Sequence, residues 1–386
     1  MHRHTFLALA TILGLSTSLP AATFTVVNTN ASGAGSLQQA IFDANTNAGS
    51  DVISFNIASG GLTIAPTNAL PTIVGPVTID GSTQPGFAGA PIIELNGAGA
   101  GASVDGLELA TSNSVIRALV INRFLGDGIE ITNGANNAVE GCYLGLNLAG
   151  ATDQGNTLNG ILITNAANNT IGGLTAASRN YIAGNNQSGV LLSGASATNN
   201  LIQGNVIGLN VSGADIGNTG DGVRVLAPAN LIGGSASGAR NVISGNNGQG
   251  IEVFTGGQNT IIRGNHIGTD STGTLDRGNS TDGIYVAAGG AIIGGSNAGE
   301  GNLISGNGGD GIELNGITAI NNLGTGQHYR REHLGKHRFA KRQRRPHHHE
   351  FPQQHCGRCD GRRGESHRLQ YRRRHRGGGG GREYEQ

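Results

Sequence analysis

The sequence predicts an all-β solenoid, a chain wound into stacked coils of short strands. Three observations predict it. A phrase of one polar residue, Gly and alternating aliphatics recurs through the body of the chain. The apolar segments are only three to five residues long and alternate with polar ones. Of the 386 residues 68 are Gly, 4% are aromatic and none is Trp. That composition excludes an ordinary domain with a large mixed core and, because Gly has no three-residue period, collagen. The regular Ile, Val and Leu positions exclude disorder throughout.

The phrase begins at Asp105, Asp127, Asn159, Ser188, Asp221, Gln249, Asp282 and Asp310, at spacings of 22, 32, 29, 33, 28, 33 and 28. From Asp127 on, every second copy is 61 or 62 residues away. A second phrase, Asn-x-Ile-x-Gly-Asn-x-Ile, lies between copies, as at Asn200 to Ile207 and Asn259 to Ile267. Each segment has the two-residue period of a strand with one buried face. One coil cannot bury that face alone. Stacked coils can, because each Ile or Val then lies on its equivalent about 4.8 Å away. Gly and Asn punctuate the corners because both tolerate left-handed backbone. The pattern is that of a parallel β-helix. Long inserts at 209–220 and 269–281 and short ones at 235–239 and 296–300 are expected to stack, each kind on one side.

The chain divides into four parts. Residues 1–22 read as a signal peptide: basic Met1 to His4, an apolar run from Phe6 to Leu19, and small residues for cleavage near Ala22. No segment is apolar over the roughly 20 residues a bilayer span needs, so a secreted protein, extracellular or on the cell surface, is expected. Residues 23–104 hold an N-terminal cap and the first coils. Ser36 and Gln39 fit a capping box, and Leu37, Ala40, Ile41 and Ala44 make the stripe of a short helix that covers the open end. Strands are expected within 51–57, 61–64, 73–79 and 91–95. Residues 105–325 are the repeats. Residues 326–386 are expected to be a disordered basic tail.

The formal net charge of zero conceals this last division. Residues 1–325 carry 8 Arg, no Lys and 19 acidic side chains; residues 326–386 carry 17 basic and 6 acidic ones, and nine of the twelve His. A nucleic-acid arm or a metal tract at His347 to His349 would be the in-frame reading of that stretch. Codons can be chosen for Gly326 to His333 that, read one base on, spell Gly-Asn-Thr-Ile-Gly-Glu-Asn, the next repeat phrase. A frameshift near residue 325 follows. It makes Cys356, Cys359 and the His run accidental and leaves no nucleic-acid partner expected. Cys142, the lone cysteine of the body, gives no disulfide framework and reads as a small buried side chain.

Asn230-Leu-Ile-Gly-Gly followed by Arg240-Asn-Val-Ile-Ser-Gly-Asn246, with the opening Thr23-Phe-Thr-Val-Val and Gly35-Ser-Leu-Gln-Gln, resembles right-handed parallel β-helix repeat proteins of the pectin-lyase-like fold, in particular a secreted bacterial group. The resemblance covers residues 23–325 and implies a right-handed helix. It implies no single activity, since this fold hosts lyases, hydrolases, adhesins and inert scaffolds.

Candidate site residues follow from the register. The residue three after each phrase start is expected to point outward. These are Glu108, Glu130, Leu162, Leu191, Arg224, Glu252, Tyr285 and Glu313, of which all but the two leucines could contact a glycan. Arg224 and Glu252 read as a surface ion pair. Glu108 and Glu130 are like charges on adjacent strands. With Asp105 and Asp127 they form a candidate Ca²⁺ site, since a hard cation would relieve the repulsion. A second cluster is His266, Asp270, Asp276 and Arg277. Asn279 to Gly283 resembles the Asn-Thr-Asp motif of polygalacturonase-like hydrolases. The acidic pair, Gly-His-Gly and Arg-x-Lys of those enzymes are missing, so their activity is not carried over. Gly308 to Leu314 resembles one Ca²⁺-binding glycine repeat. The first functional reading is a scaffold that adheres to or binds extracellular polysaccharide or a cell-surface glycan. The alternative is a polysaccharide lyase or glycoside hydrolase.

Overall fold

The computed structural model describes residues 21–58, 60–329 and 339–342. The signal-peptide residues 1–20, the His run and the Cys356–Cys359 pair lie outside them.

Each coil contributes one short strand to each of three parallel sheets, of eleven, nine and nine strands. In one coil, Thr170–Gly172 belongs to the first sheet, Tyr181–Ile182 to the second and Val190–Ser193 to the third. Every strand pairs in register with its counterpart in the coils before and after, as Ile171 with Ile202 and Ile161 with Val190. The chain is a parallel β-helix, as the repeat predicted, and right-handed, as the resemblance implied. The aliphatics line up as expected. Ile171, Ile202, Ile232 and Ile262 form one inward column, Ile182, Ile207, Ile243 and Ile267 a second, and Val190, Val223, Ile251 and Ile284 a third, all fully buried. Each such side chain contributes about 1.5–3 kcal/mol of burial.

At the N-terminal end the helix Leu37–Thr46 lays Leu37, Ala40, Ile41 and Ala44 on the core. Ser36 caps it, its Oγ accepting from the Gln39 amide at 3.2 Å. The expected capping box is only half formed: the Gln39 side chain donates forward to Asp43 at 2.7 Å instead of back to the cap. The first coils follow as Asp51–Phe55, Thr63–Ile64, Val77–Asp80 and Ile93–Asn96.

The asparagines do two jobs, of which the sequence reading named one. Asn136, Asn168 and Asn199 hold left-handed backbone at exposed or half-exposed corners. The residue after each, Asn137, Asn169 and Asn200, has ordinary φ and is buried. These buried amides stack into three ladders up the solenoid. One runs Asn137, Asn169, Asn200, Asn230. A second runs Asn180, Asn205, Asn241, Asn265, Asn302. The third runs Asn156, Asn185, Asn218, Asn246, Asn279, Asn307. Asn218 is typical. Its Oδ1 accepts from the backbone and side-chain nitrogens of Asn185 at 3.1 and 2.9 Å. Its Nδ2 donates to Asn246 Oδ1 at 2.9 Å and to the Ile182 carbonyl at 3.1 Å. The ladders satisfy backbone groups where the sheets break at the corners.

The solenoid passes the expected boundary at 325. Gln327 takes the next place in the second ladder, its Oε1 accepting from Asn302 Nδ2 at 3.0 Å and its Nε2 donating to the Ile293 carbonyl at 2.7 Å. His328 makes a parallel bridge with Leu303, and Phe339–Arg342 pairs in parallel with Ile312–Asn315. An amide one methylene longer than Asn can still reach the ladder, so the coil continues into the tail.

Among the described residues no helix is long and apolar enough to cross a membrane. We expect Asn218→Ala to cost about 3 kcal/mol or more, since it leaves several buried groups unpaired. Arg224→Gln, at a half-buried ion pair without hydrogen-bond alignment, should cost less than Asn218→Ala. Urea unfolding followed by circular dichroism separates the two.

Candidate functional site

The long inserts decide which face is free. They stack as expected: Val211 N–H donates to the Gly150 carbonyl at 3.1 Å, Asn210 Nδ2 to Ala151 at 2.9 Å, and Arg277 Nε to Gly213 at 3.0 Å. They cover the outer face of the second sheet. There Val206, Leu209 and Val242 form a buried satellite cluster with Tyr181, and Tyr143 meets Tyr181 edge to face at 5.5 Å. His266 belongs to this covered row. It is buried, its Nδ1 lies 3.4 Å from the Asp270 carbonyl, and burial followed by Arg240 lowers its pKa.

The other members of that cluster build the insert. For Asp270, burial is outweighed by hydrogen bonds from Leu275, Thr272 and Thr274, which hold it down at about 2. Asp276 accepts from the Gly278 amide at 3.0 Å, and Arg277 ties its insert to that of two coils earlier through Gly213 and Asp215. Cys142 is fully buried, and burial pushes its thiol up to about 12, which removes it as a nucleophile.

The polar row lies on the outer face of the third sheet. Glu108, Glu130, Leu162, Leu191, Arg224, Glu252, Tyr285 and Glu313 stand in one continuous register, each on its neighbour. All are half-buried. Arg224 Nε stands 2.7 Å from Glu252 Oε2, without the alignment of a hydrogen bond.

The aspartates at the phrase starts are not on this row. They form a column of their own, each oxygen accepting the backbone N–H of the next coil. Asp105 Oδ1 receives Asp127 N–H at 2.5 Å, Asp221 receives Gln249 at 2.8 Å and Asp282 receives Asp310 at 2.5 Å. Asp127 is buried, and its Oδ1 takes both nitrogens of Asn159 at 2.7 and 2.8 Å.

The two columns meet diagonally. The Asp105 carboxyl acts electrostatically on the Glu130 carboxyl one coil on, and Asp221 does the same to Glu252. Asp282, Asp310 and Glu313 repeat the arrangement, with one oxygen from each within 4.8 Å of the others. Three carboxylates at that spacing suit a hard cation of the Ca²⁺ kind. The cation spacing thus falls two carboxyl pairs further along the solenoid than the expected quartet.

The three copies differ in the row residue beside the pair, Glu108, Arg224 and Tyr285, and in the next phrase start, Asp127, Gln249 and Asp310. In the second copy Arg224 offsets part of the charge, though burial still raises Asp221 and Glu252. In the first copy no cation is among the groups that shift it. Burial, then Asp105, Asp127 and Glu108, push Glu130 up to about 7; burial, then Asp105, raise Asp127 to about 6. Glu108 is held by the Thr72 hydroxyl at 2.7 Å. The unrelieved repulsion among these carboxyls is what raises Glu130 and Asp127 beyond the effect of burial.

All-β coils with a carboxyl-lined outer face define the class of protein, a β-helix with a polar row along its axis. No protein-family model matches the sequence, and comparison with curated proteins finds no match. Among solved structures, the A-module of the mannuronan C-5 epimerase AlgE6 from Azotobacter vinelandii is similar, with a TM-score of 0.52 at 17% identity over 79% of this chain and 86% of that one. The periplasmic alginate epimerase AlgG matches with a TM-score of 0.44 at 15% identity over 72% of this chain. An alginate lyase from Paenibacillus sp. matches at 0.39 and 17% over 83% of this chain and 96% of that one. The chain spans 61% of the length of AlgG. At these identities the likeness is one of fold.

The raised carboxyls carry a sign. A Glu whose pKa is raised on folding stabilises the native state fully below its unfolded value near 4.5, and that contribution is lost as pH rises through about 7. The melting temperature should therefore fall between about pH 5 and pH 8. Glu130→Gln should flatten that fall in circular-dichroism melts.

Proposed function

We propose that the chain is a secreted, polysaccharide-acting β-helix protein, and that its reacting groups are Glu130 as general acid and Glu108 as base or nucleophile in glycoside hydrolysis. The observation that carries this is the pair itself. Glu130, raised to about 7, holds a proton near neutral pH beside a second carboxyl in register. Glu108 and Glu130 are in-register neighbours on adjacent parallel strands, and a second carboxylate beside the acid is what glycoside hydrolysis requires. The Asp105 charge raises Glu130 further, and Asp127 ties its coil to the next through Asn159.

The rest of the row binds. Tyr285 supplies a ring face on which a sugar can stack, between Glu252 and Glu313. The acidic face favours a neutral polymer over an anionic one. The name of the similar AlgE6 module, a mannuronan C-5 epimerase, supports action on a sugar polymer over the adhesion reading.

The test is product release from neutral and acidic polysaccharides, each with and without Ca²⁺. Neutral polymer should be cleaved without the ion. Glu130→Gln and Glu108→Gln should each lower kcat by about 100-fold or more. Tyr285→Ala should raise KM with little change in kcat. Polysaccharide binding without turnover on any substrate would return the scaffold reading.

A further inference from the structure

The C-terminal edge of the described solenoid is unfinished. Leu323 continues the outward row Leu201, Leu231, Ile261, Ile292 of the first sheet. Those four are half-buried between neighbours, whereas Leu323 is 53% exposed, and Ile317 and Ile320 on the same coil are 77% and 51% exposed. The inward place held by Ile202, Ile232, Ile262 and Ile293 is filled in this coil by Gly324. Gln327 continues the second amide ladder at a position where the five preceding rungs have Asn. The register also sets Lys341 beside Leu314, a place that earlier coils fill with Val, Leu or Ile.

We infer that this edge is an interaction surface whose partner is the next coil of the same solenoid, and that the coding sequence, read one base on from codon 326, writes that coil. The genetic code makes part of this independent of codon choice. A Gln codon ends in AA or AG. Followed by the C of a His codon it gives AAC or AGC, so position 327 becomes Asn or Ser. His328 before the T of Tyr329 becomes Thr or Ile. Tyr329 before an Arg codon becomes Thr or Ile as well. Glu332 before His333 becomes Asn or Ser. Gly326 and Arg330 both admit Gly.

The shifted line therefore accommodates Gly-Asn-x-Ile-Gly, the phrase at 204–208 and 264–268. Its first Asn falls on the ladder place that Gln327 now occupies. Its second, at 332, stands five residues on, the separation of Asn180 from Asn185, Asn241 from Asn246 and Asn302 from Asn307. Those pairs join the second ladder to the third. The same rule converts the tail's abundant His into Thr, Ile or Met. A frame slip thus explains both the strange composition and the unfinished edge.

Two measurements test this. In the coding DNA, codons 326–333 read one base on should give Asn at both degenerate positions and Ile at 329. Ser at either position, or a stop codon within that stretch, overturns the inference. Removing one base at codon 326 should yield a product that is monodisperse in size-exclusion chromatography and melts several degrees above the chain as written. In that product Leu323→Glu should lower the melting temperature by several degrees, while in the chain as written it should change little. An equal effect in both backgrounds, or no gain on removing the base, refutes it.

Discussion

The buried amide ladder is the constraint on which the other features depend. A solenoid needs sharp corners, and at each corner the sheet hydrogen bonds stop. Backbone N–H groups there are still inside the protein, where leaving one unpaired costs about 1–3 kcal/mol. An Asn in each rung removes the problem with one side chain. Its oxygen takes the previous coil's amide, and its nitrogen passes the pattern to the next. Because each rung is both donor and acceptor, the ladder fixes the vertical register of successive coils. The aliphatic columns stack, and the outer rows align, because the ladders allow no slip.

That register turns a sequence repeat into a surface. Residues about 30 apart in the chain become neighbours on one strand edge. The three outer faces then diverge. Long inserts cover the second sheet, and the first carries the Asp80–Arg117 ion pair at 2.7 Å. The third is left with a half-buried line of carboxylates, one arginine and one tyrosine.

The columns and the row were legible because a strand has a period of two. Once Asp127-Gly-Ile-Glu-Ile was recognised as a strand, Ile129 had to face inward and Glu130 outward. The ladders were not, because Asn also serves as a turn residue and composition cannot separate the uses. The doublets Asn136-Asn137, Asn168-Asn169 and Asn199-Asn200 held the signal: one left-handed corner cannot explain two consecutive asparagines. The Asp105–Glu130 contact was hidden for another reason. It runs diagonally between coils, and its partners sit in different columns of the repeat. His266 showed the opposite failure. It looked chemical as the sole His of the repeats, yet its place in the second-sheet row put it beneath an insert, where a valine serves equally well in the coils at Val206 and Val242.

The diagonal carboxyl pair explains why chemistry would concentrate at one end of the row. Asp105, Asp221 and Asp282 perform the same backbone task, so the pair beside each is a by-product of holding coils together. The scaffold thus presents the same partly buried acid three times. What surrounds it changes: the row residue is Glu108, Arg224 or Tyr285, and the next phrase start is Asp127, Gln249 or Asp310. Arginine in the second copy makes an ion pair, and tyrosine in the third offers a flat contact surface. Glutamate in the first adds charge to a place already short of water, and the response is to retain a proton at neutral pH. Burial, then the carboxyls of Asp105, Asp127 and Glu108, together turn a structural strut into a proton donor at Glu130. The repeat supplies the geometry, and departure from the repeat supplies the reactivity.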